Sequence, residues 1–140
     1  MEPGPLQIVH EHPTLRVDER RLHTILHALF EAEGATPLDI TLVLTGHADV
    51  RALNVEYLGH DYDTDVLSFL LSDGTSDGIE GEVYVDLDTA LERHAEFDAP
   101  FEDEALRYCI HGVLHLLGYD DATATERDAM RALETRYLYT

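Results

Sequence analysis

The sequence predicts an α+β protein in which a small mixed sheet of about four strands is covered by about five helices. Two observations support this prediction. Short segments rich in β-branched residues occur only up to Asp86, whereas the chain from Leu87 onward has the apolar spacing of helices. A segment with helical spacing also lies between the first two strand segments. A chain of 140 residues is long enough for one core, so we expect residues 1–140 to form a single domain.

The elements before Leu87 are recognised by the spacing of their apolar residues, and the two helices among them also by the glycines that follow. In chain order they are a strand at 6–10, a helix at 18–33, a strand at 38–45, a helix at 47–58 and strands at 66–71 and 79–86. Each of the two helices carries an apolar stripe and is followed by a glycine, Gly34 and Gly59. A turn at 61–64 and a Ser/Asp/Gly loop at 72–78 connect the later elements.

The last third of the chain is predicted to be helical. Its helices are expected at 87–96, at 102–117 and from 123 through 137. The helix at 102–117 has apolar residues most of the way around it, so we expect it to be central and largely buried. Pro100 precedes this helix and Gly118 ends it. Thr123 and Glu126 form a capping-box pattern at the start of the final helix.

The charge of the chain is strongly negative. It contains 29 acidic residues and nine basic ones, all of them Arg, and its formal net charge is −20. Such a charge repels nucleic acid at low salt, because cationic contacts to phosphates supply most of that affinity. Two interpretations follow. Either the partner is not a nucleic acid, or the acidic surface is adapted to a salty cytosol, where charge is screened within about 3 Å at 1 M salt. The even spread of acidic residues favours the second interpretation.

The sequence also predicts a cytoplasmic protein without a membrane anchor. Cys109 is the single cysteine, which rules out an intramolecular disulfide and favours a reducing compartment. No apolar run approaches the roughly 20 residues needed to span a bilayer. The N-terminal residues have neither the basic start nor the apolar stretch of a signal peptide.

His111 and His115 are the strongest candidates for chemistry. They lie four positions apart in a predicted helix, so both imidazoles project from one face. The spacing alone is weak evidence, because nine histidines can produce it by chance and His23 and His27 form a second such pair. The pair at 111 and 115 differs in lying on a largely apolar helix, where a polar group needs a partner such as a metal ion.

The residues after this pair can complete a metal site. Gly118 stops the helix and lets the chain turn back, which brings Asp120 or Asp121 beside the two imidazoles. Two imidazoles and one carboxylate form a set that Zn²⁺ accepts with its fourth position open to water. An open site indicates catalysis by a Lewis acid or a metal hydroxide more than a structural role, since structural zinc sites favour Cys and Cys109 is poorly placed.

The segment HGVLHLLGYDD at 111–121 resembles the signature of the YbeY-type endoribonucleases, or rRNA maturation factors, whose pattern is His-Gly-x-Leu-His-Leu-x-Gly-Tyr-Asp-His. Three upstream blocks resemble the same family, namely LNxxY at 53–57, TDVLSF at 64–69 and GEVYV at 81–85. The resemblance implies an α+β metalloprotein that cuts single-stranded RNA, matures 16S rRNA and takes part in ribosome quality control. It further implies the ribosome or pre-rRNA, with a ribosomal protein, as partners.

The chain departs from the family pattern at two positions. Asp121 stands where the family has its third His, and a carboxylate oxygen also binds Zn²⁺, so we expect His111, His115 and Asp121 to hold one Zn²⁺ or another divalent ion. Asp120 is then a capping or supporting residue. Leu58 stands where the family usually has Arg, which puts phosphate binding in doubt unless another residue such as Arg51 takes that role.

Two further residues are candidates for a substrate groove. Asp65 either lines the groove or caps the turn before its strand, and Ser68 either lines it or is a packed hydroxyl. The sequence leaves open whether water on the metal or the ribose 2′-OH attacks the phosphate. A ribosome-associated RNA-binding factor with a structural metal is one alternative. A zinc protease or amidohydrolase is less favoured, because Gly112 stands where paired-His proteases have their Glu base.

Overall fold

A four-stranded mixed sheet positions the helices of this protein. The computed structural model describes residues 4–59, 64–72 and 78–140. The strands are β1 (Leu6–His10), β2 (Pro37–Thr45), β3 (Val66–Leu70) and β4 (Ile79–Asp86). They lie in the order β1-β2-β4-β3, with β1, β2 and β4 parallel and β3 antiparallel to β4. The parallel pairs are connected through helices, as parallel strands require.

Five α-helices accompany the sheet in the described parts of the chain. They are α1 (Glu19–Glu33), α2 (His47–Leu53), α3 (Leu87–Arg93), α4 (Phe101–Leu116) and α5 (Ala124–Leu138). The predicted α+β class is therefore confirmed, with four strands and five helices. The ends of α1 and α5 follow the sequence signals. Gly34 adopts a left-handed conformation after α1, and Thr123 and Glu126 form the predicted capping box on α5.

Two helices end differently from the simple prediction. Helix α2 continues into a π-helical turn, Asn54–Leu58, because the N–H of Gly59 reaches the carbonyls of both Asn54 and Val55. Helix α3 tightens into a 3-10 turn, His94–Phe97, before Asp98 takes a left-handed conformation. Pro100 follows shortly afterwards and disfavours helical conformation in Ala99, so the turn does not run on into the next helix.

Helix α4 is the central helix, as the sequence predicted. It packs against β3 and β4 and also contacts α3 and α5. Its buried residues form the core together with apolar residues of α1 and the sheet, and Leu106, Ile110, Val113 and Leu114 are fully inaccessible to solvent. Because α4 is buried on most sides, its few polar side chains need internal partners or a ligand.

Some predictions fall on residues that the structure does not describe. The predicted turn at 61–64 lies outside the described residues except for Thr64, and so do His60 and most of the Ser/Asp/Gly loop at 72–78. Among the residues that are described, no helix has both the length and the apolar composition needed to span a bilayer.

Candidate metal centre

His111 and His115 face each other near the C-terminal end of α4. Their Nε2 atoms are 2.9 Å apart, and their ring centroids are 4.5 Å apart. The second histidine pair, His23 and His27 on α1, has ring centroids 6.3 Å apart. The side chains of His111 and His115 are 18% and 27% exposed, so both are half-buried but reachable from solvent.

The chain after α4 brings Asp121 to the same point. Gly118 has a φ of +101°, which is favourable for glycine and turns the chain away from the helix axis. Asp121 Oδ2 lies 3.2 Å from His111 Nε2 and 3.5 Å from His115 Nε2. Arg127 holds this loop by donating a hydrogen bond from Nη1 to the carbonyl oxygen of Ala122 at 3.0 Å. Asp120 is exposed.

The three donor atoms fit a divalent metal ion. They form a triangle with sides of 2.9, 3.2 and 3.5 Å. Ligands held at about 2.0–2.2 Å in a tetrahedron around Zn²⁺ are roughly 3.3–3.6 Å apart, so only small adjustments are needed. Two imidazole nitrogens and a carboxylate oxygen are also suitable donors chemically. His111, His115 and Asp121 are thus a group that could bind a metal.

Glu134 orients the His111 ring from the side opposite the triangle. His111 Nδ1–H donates a 2.6 Å hydrogen bond to Glu134 Oε2, which leaves Nε2 free as a ligand atom. Glu134 lies on α5 and is only 5% exposed. Its charge is balanced by Arg107, whose Nη1 lies 3.3 Å from Oε1 and also donates to Thr135 Oγ1. Side chains of two helices, α4 and α5, therefore hold the His111 ring in place.

The pKa of His111 reflects these neighbours. Burial by itself lowers the pKa of this imidazole. The hydrogen bond to Glu134, with the charges of Glu134, Asp65 and Asp121, outweighs burial and holds the pKa above its ordinary value of 6.5. A metal ion bound at Nε2 would have to displace the proton that these carboxylates favour.

A cavity of about 290 Å³ opens beside the metal centre. It is bounded by α4, α5, the end of α3 and the residue before β3. Its lining consists of Asp65, Arg93, Phe97, Glu104, Arg107, Tyr108, His111, Asp121, Arg127, Met130, Arg131 and Glu134. Two of the three candidate ligands thus line a space in which a substrate could approach the site.

The two predicted groove residues are placed differently. Asp65 lines the cavity and accepts a long hydrogen bond of 3.4 Å from Thr64 Oγ1. Ser68 donates a 2.8 Å hydrogen bond from Oγ to the carbonyl oxygen of Gly112 and borders a different cavity, near Tyr57 and Phe69. The structure therefore brings Asp65, but not Ser68, into the cavity beside His111, and a role in substrate binding stays a prediction for both.

Other residues singled out in the sequence lie away from the centre. Burial raises the pKa of the Cys109 thiol to about 12, so this residue is a packed thiol rather than a ligand. Tyr119 donates a 2.5 Å hydrogen bond to Glu33 Oε1 on α1 and packs at the edge of the core. Leu58 is 48% exposed on the π-helical turn, and Arg51 is exposed on α2. Neither lines the cavity.

A second group of His and Asp side chains forms an ion-pair network instead. His47 Nδ1–H donates to Asp86 Oδ2 at 2.7 Å, and Nε2–H donates to Glu92 Oε1 at 2.8 Å. The bond to Glu92, more than that to Asp86, outweighs burial and raises the pKa of His47 to about 9. Asp88 accepts from His12 Nε2 at 2.8 Å. Both ring nitrogens of His47 are thus already paired within this network, and the residue is half-buried.

Sequence reasoning missed the supports of the centre, Glu134 and Arg107, and the other arginines of the cavity. One signal for Glu134 was present: it falls on the stripe of α5 that holds Met130, Leu133 and Tyr137, where a carboxylate needs a partner. Arg107 interrupts the apolar helix α4 in the same way. No comparable signal distinguishes Arg127 and Arg131 from ordinary exposed arginines.

Comparison with known proteins agrees with the geometry. Residues 7–140 match the model of the family described as Endoribonuclease YbeY. A protein named Endoribonuclease YbeY from Salinibacter ruber is 53% identical, over 97% of this chain and 91% of its own length. One of the same name from Chlorobium phaeovibrioides is 43% identical, over 91% of this chain and 86% of its own.

The fold also has a similar solved structure. The solution structure of TM1509 from Thermotoga maritima superposes with a TM-score of 0.61 at 28% sequence identity. The match covers 95% of this chain and 86% of the other. The likeness therefore extends over nearly all of the chain and is not limited to the metal-site segment.

Proposed function

The chain belongs to the Endoribonuclease YbeY family, and from this premise we propose that it cuts single-stranded RNA with the help of one bound divalent metal ion. We further propose Zn²⁺ as the ion and 16S rRNA maturation and ribosome quality control as the role, with the ribosome or pre-rRNA and a ribosomal protein as partners. The lone Cys109 supports a reducing, cytoplasmic location. Residues 1–140 are proposed to act as one domain.

The observation that carries this proposal is the triangle of donor atoms on His111, His115 and Asp121, which borders a cavity. The ligand side chains are 18% to 40% exposed, so a substrate can reach them. That exposure favours catalysis over a closed structural site. Gly112 offers no general base after the first histidine, which counts against peptide hydrolysis.

The residues around the centre have separate tasks. A bound metal ion would supply Lewis-acid chemistry, polarising a phosphate oxygen or activating water. Glu134 keeps the proton of His111 on Nδ1 and fixes the plane of the ring. Arg107 forms an ion pair with Glu134 and balances the charge of this buried side chain. Asp65 presents its carboxylate to the cavity, where we propose that it contacts the substrate.

Chelation and removal of one ligand test the proposal. We expect the wild-type protein to cut a single-stranded RNA oligonucleotide, and we expect EDTA to abolish the cutting and Zn²⁺ to restore it. His115→Ala should lower kcat/KM by roughly 100-fold or more, because it removes one of three ligands. Product formation is followed on denaturing gels.

The second histidine pair provides the matched control. His23→Ala/His27→Ala removes two imidazoles with the same spacing from α1 and should leave the cutting rate unchanged. Robust cutting in EDTA by His111→Ala/His115→Ala would overturn metal-dependent cleavage. Strong thermal destabilisation by EDTA without any RNA cutting by the wild-type protein would instead favour a ribosome-associated factor with a structural metal.

A further inference from the structure

The arginines of this acidic protein are concentrated at one place. Four of the nine line the cavity beside the metal centre: Arg93, Arg107, Arg127 and Arg131. The same cavity is lined by four carboxylates, so its formal charge is zero with His111 neutral. The rest of the chain then holds five arginines and 25 acidic residues. The cavity is therefore a local break in a strongly negative surface, and a bound divalent ion would make it positive.

The carboxylates of the cavity are mostly engaged with other groups. Glu134 is bonded to His111 and Arg107. Glu104 is only 3% exposed and accepts a 3.2 Å hydrogen bond from the Tyr108 hydroxyl. Asp121 faces the two imidazoles. Most of the negative charge in the cavity is thus turned toward the protein interior or the metal centre.

The outer arginines are arranged differently. We call Arg93, Phe97, Arg127 and Arg131 the arginine wall. The guanidinium carbons of Arg93 and Arg131 lie 5.4 and 5.2 Å from the centre of the Phe97 ring, within the range of cation–π attraction. Arg93 is also bonded to Glu96 at 2.9 Å. Within residues 4–59, 64–72 and 78–140, neither Arg127 nor Arg131 forms an ion pair with a carboxylate.

We propose that the arginine wall binds the backbone phosphates of the RNA strand next to the bond that is cut at the metal centre. This inference rests on the proposed function. A guanidinium group presents several N–H donors in one plane and pairs well with a phosphate. Arg127 and Arg131 are exposed and have no carboxylate partner among the described residues, although the chain has a large surplus of carboxylates. An anionic ligand that enters the cavity explains this arrangement best.

The members of the wall have distinct positions. Arg131 lies one helical turn after Arg127 on α5, so both side chains project from the same face of that helix. Phe97, on the 3-10 turn, restricts the guanidinium of Arg131 and so reduces the entropy lost when a phosphate binds. Arg127 also bonds the loop that carries Asp121, which connects the wall to the metal centre.

The double variant Arg127→Gln/Arg131→Gln tests the wall. Binding of a fluorescent single-stranded RNA is measured by anisotropy in the His115→Ala background with EDTA present, where we expect cutting too slow to disturb the titration. The double substitution should weaken binding by roughly 10- to 100-fold, the loss expected for charge-assisted contacts. In the zinc-loaded protein with His115 intact, the same substitutions should raise KM far more than they lower kcat.

Arg16→Gln/Arg20→Gln is the matched control. It removes the same charge from two exposed arginines, one just before α1 and one within its first turn, away from the cavity. If it weakens RNA binding as much as the cavity variant does, only overall charge matters and the proposal is overturned.

The single variant Arg131→Gln separates the effect of the wall from the effect of the Asp121 loop, because Arg127 also bonds that loop. If Arg131→Gln has no effect on KM and Arg127→Gln acts only through weaker Zn²⁺ binding, the proposal also fails.

Failure of the wall and failure of the proposed function give different results. If the wild-type protein cuts RNA and the cavity variant cuts it with an unchanged KM, the arginine wall is wrong while the nuclease assignment stands. If the wild-type protein never cuts RNA but binds it through Arg127 and Arg131, the phosphate site stands and the nuclease assignment is wrong.

Discussion

Glu134 sets the direction in which His111 presents its free ring nitrogen. The 2.6 Å bond to Nδ1 leaves Nε2 as the only ring atom that can bind a metal. Glu134 is 5% exposed, so its charge is tolerated only because His111 and Arg107 are its partners. A single buried carboxylate on α5 therefore orients a candidate metal ligand on α4.

Glu134→Gln is expected to weaken Zn²⁺ binding by roughly 10- to 100-fold, the range for groups that support a metal ligand. The amide oxygen can still accept the hydrogen bond from His111 Nδ1–H but carries no charge, so the imidazole Nε2 becomes a weaker electron-pair donor to the metal. Competition titration with a chromogenic chelator at fixed pH measures the affinity.

Asp128→Asn is the matched control for this substitution. Asp128 is exposed on the same helix and does not line the cavity, so its loss of charge should leave Zn²⁺ affinity unchanged. Equal affinities for the wild-type protein and Glu134→Gln would show that Glu134 does not support the ligand. Thermal unfolding of both variants reports any loss of folded protein separately.

The sequence indicated the three candidate ligands but not their support. His111, His115 and Asp121 lie within an eleven-residue segment, so helical spacing and one glycine turn are enough to bring them together. Glu134 reaches the site from another helix, and its position depends on how α5 packs on α4. That packing is a tertiary property which local spacing does not encode.

At the scale of elements, Gly112 determines how closely α4 approaches the sheet. A Cβ atom at this position would lie 2.4 Å from Val83 Cγ1, 2.9 Å from Val66 Cγ2 and 3.1 Å from Ser68 Oγ. A glycine between two candidate metal ligands would leave room for another backbone or for a substrate. The structure shows instead that side chains of β3 and β4 occupy the space, and Ser68 bonds the Gly112 carbonyl.

Gly112→Ala is expected to lower the free energy of unfolding, although alanine favours helices over glycine by about 1 kcal/mol. Overpacking of a core costs about 1–3 kcal/mol, and the β-branched Val66 and Val83 have few alternative rotamers. The net loss should be on the order of 1 kcal/mol. Urea unfolding followed by circular dichroism measures it.

The double variant Gly112→Ala/Val83→Ala checks the cause. Removing the Val83 methyl groups relieves the closest contact, so the two substitutions together should cost less than the sum of their separate effects. Strict additivity would mean that the Cβ atom does not clash with Val83 and that α4 shifts without strain.

Most elements could be predicted from the sequence, and the exceptions have local causes. The periods of apolar residues identified α1, α4 and all four strands, because each buries one face or nearly all of its surface. The π-helical end of α2 and the 3-10 end of α3 depend on which backbone carbonyl accepts the hydrogen bond from an N–H at the end of the helix. Such choices change the hydrogen-bond partner but leave the apolar pattern intact.

At the scale of the whole molecule, the net charge of −20 opposes binding of RNA, while the cavity beside the candidate metal centre is proposed to favour it. Two interpretations of the acidic composition were open in the sequence, a partner other than nucleic acid or adaptation to salt. Four of the nine arginines line the cavity beside the candidate metal centre, and we propose that they offer phosphate contacts in an otherwise acidic chain. Composition alone could not reveal this, because it contains no information about which side chains meet.

The salt dependence of RNA binding follows from this distribution of charge. Added salt screens the repulsion by the acidic surface, as the Debye length falls from about 10 Å at 0.1 M to about 3 Å at 1 M. Salt also weakens each phosphate contact. For single strands, each contact contributes about −0.7 to the slope of log affinity against log salt concentration. We therefore expect the affinity of the His115→Ala protein for single-stranded RNA to rise or stay level at low salt and to fall only at higher salt.

Anisotropy titrations from low to high KCl measure this dependence. Loss of Arg127 and Arg131 should make the high-salt slope of log affinity against log salt less negative by roughly 1.4, because two phosphate contacts disappear. Arg16→Gln/Arg20→Gln should leave that slope unchanged and only lower the affinity at low salt, since removing these two positive charges increases the general repulsion without removing a contact to the strand. A steep, uninterrupted fall in wild-type affinity from the lowest salt would contradict the opposing roles of surface and cavity.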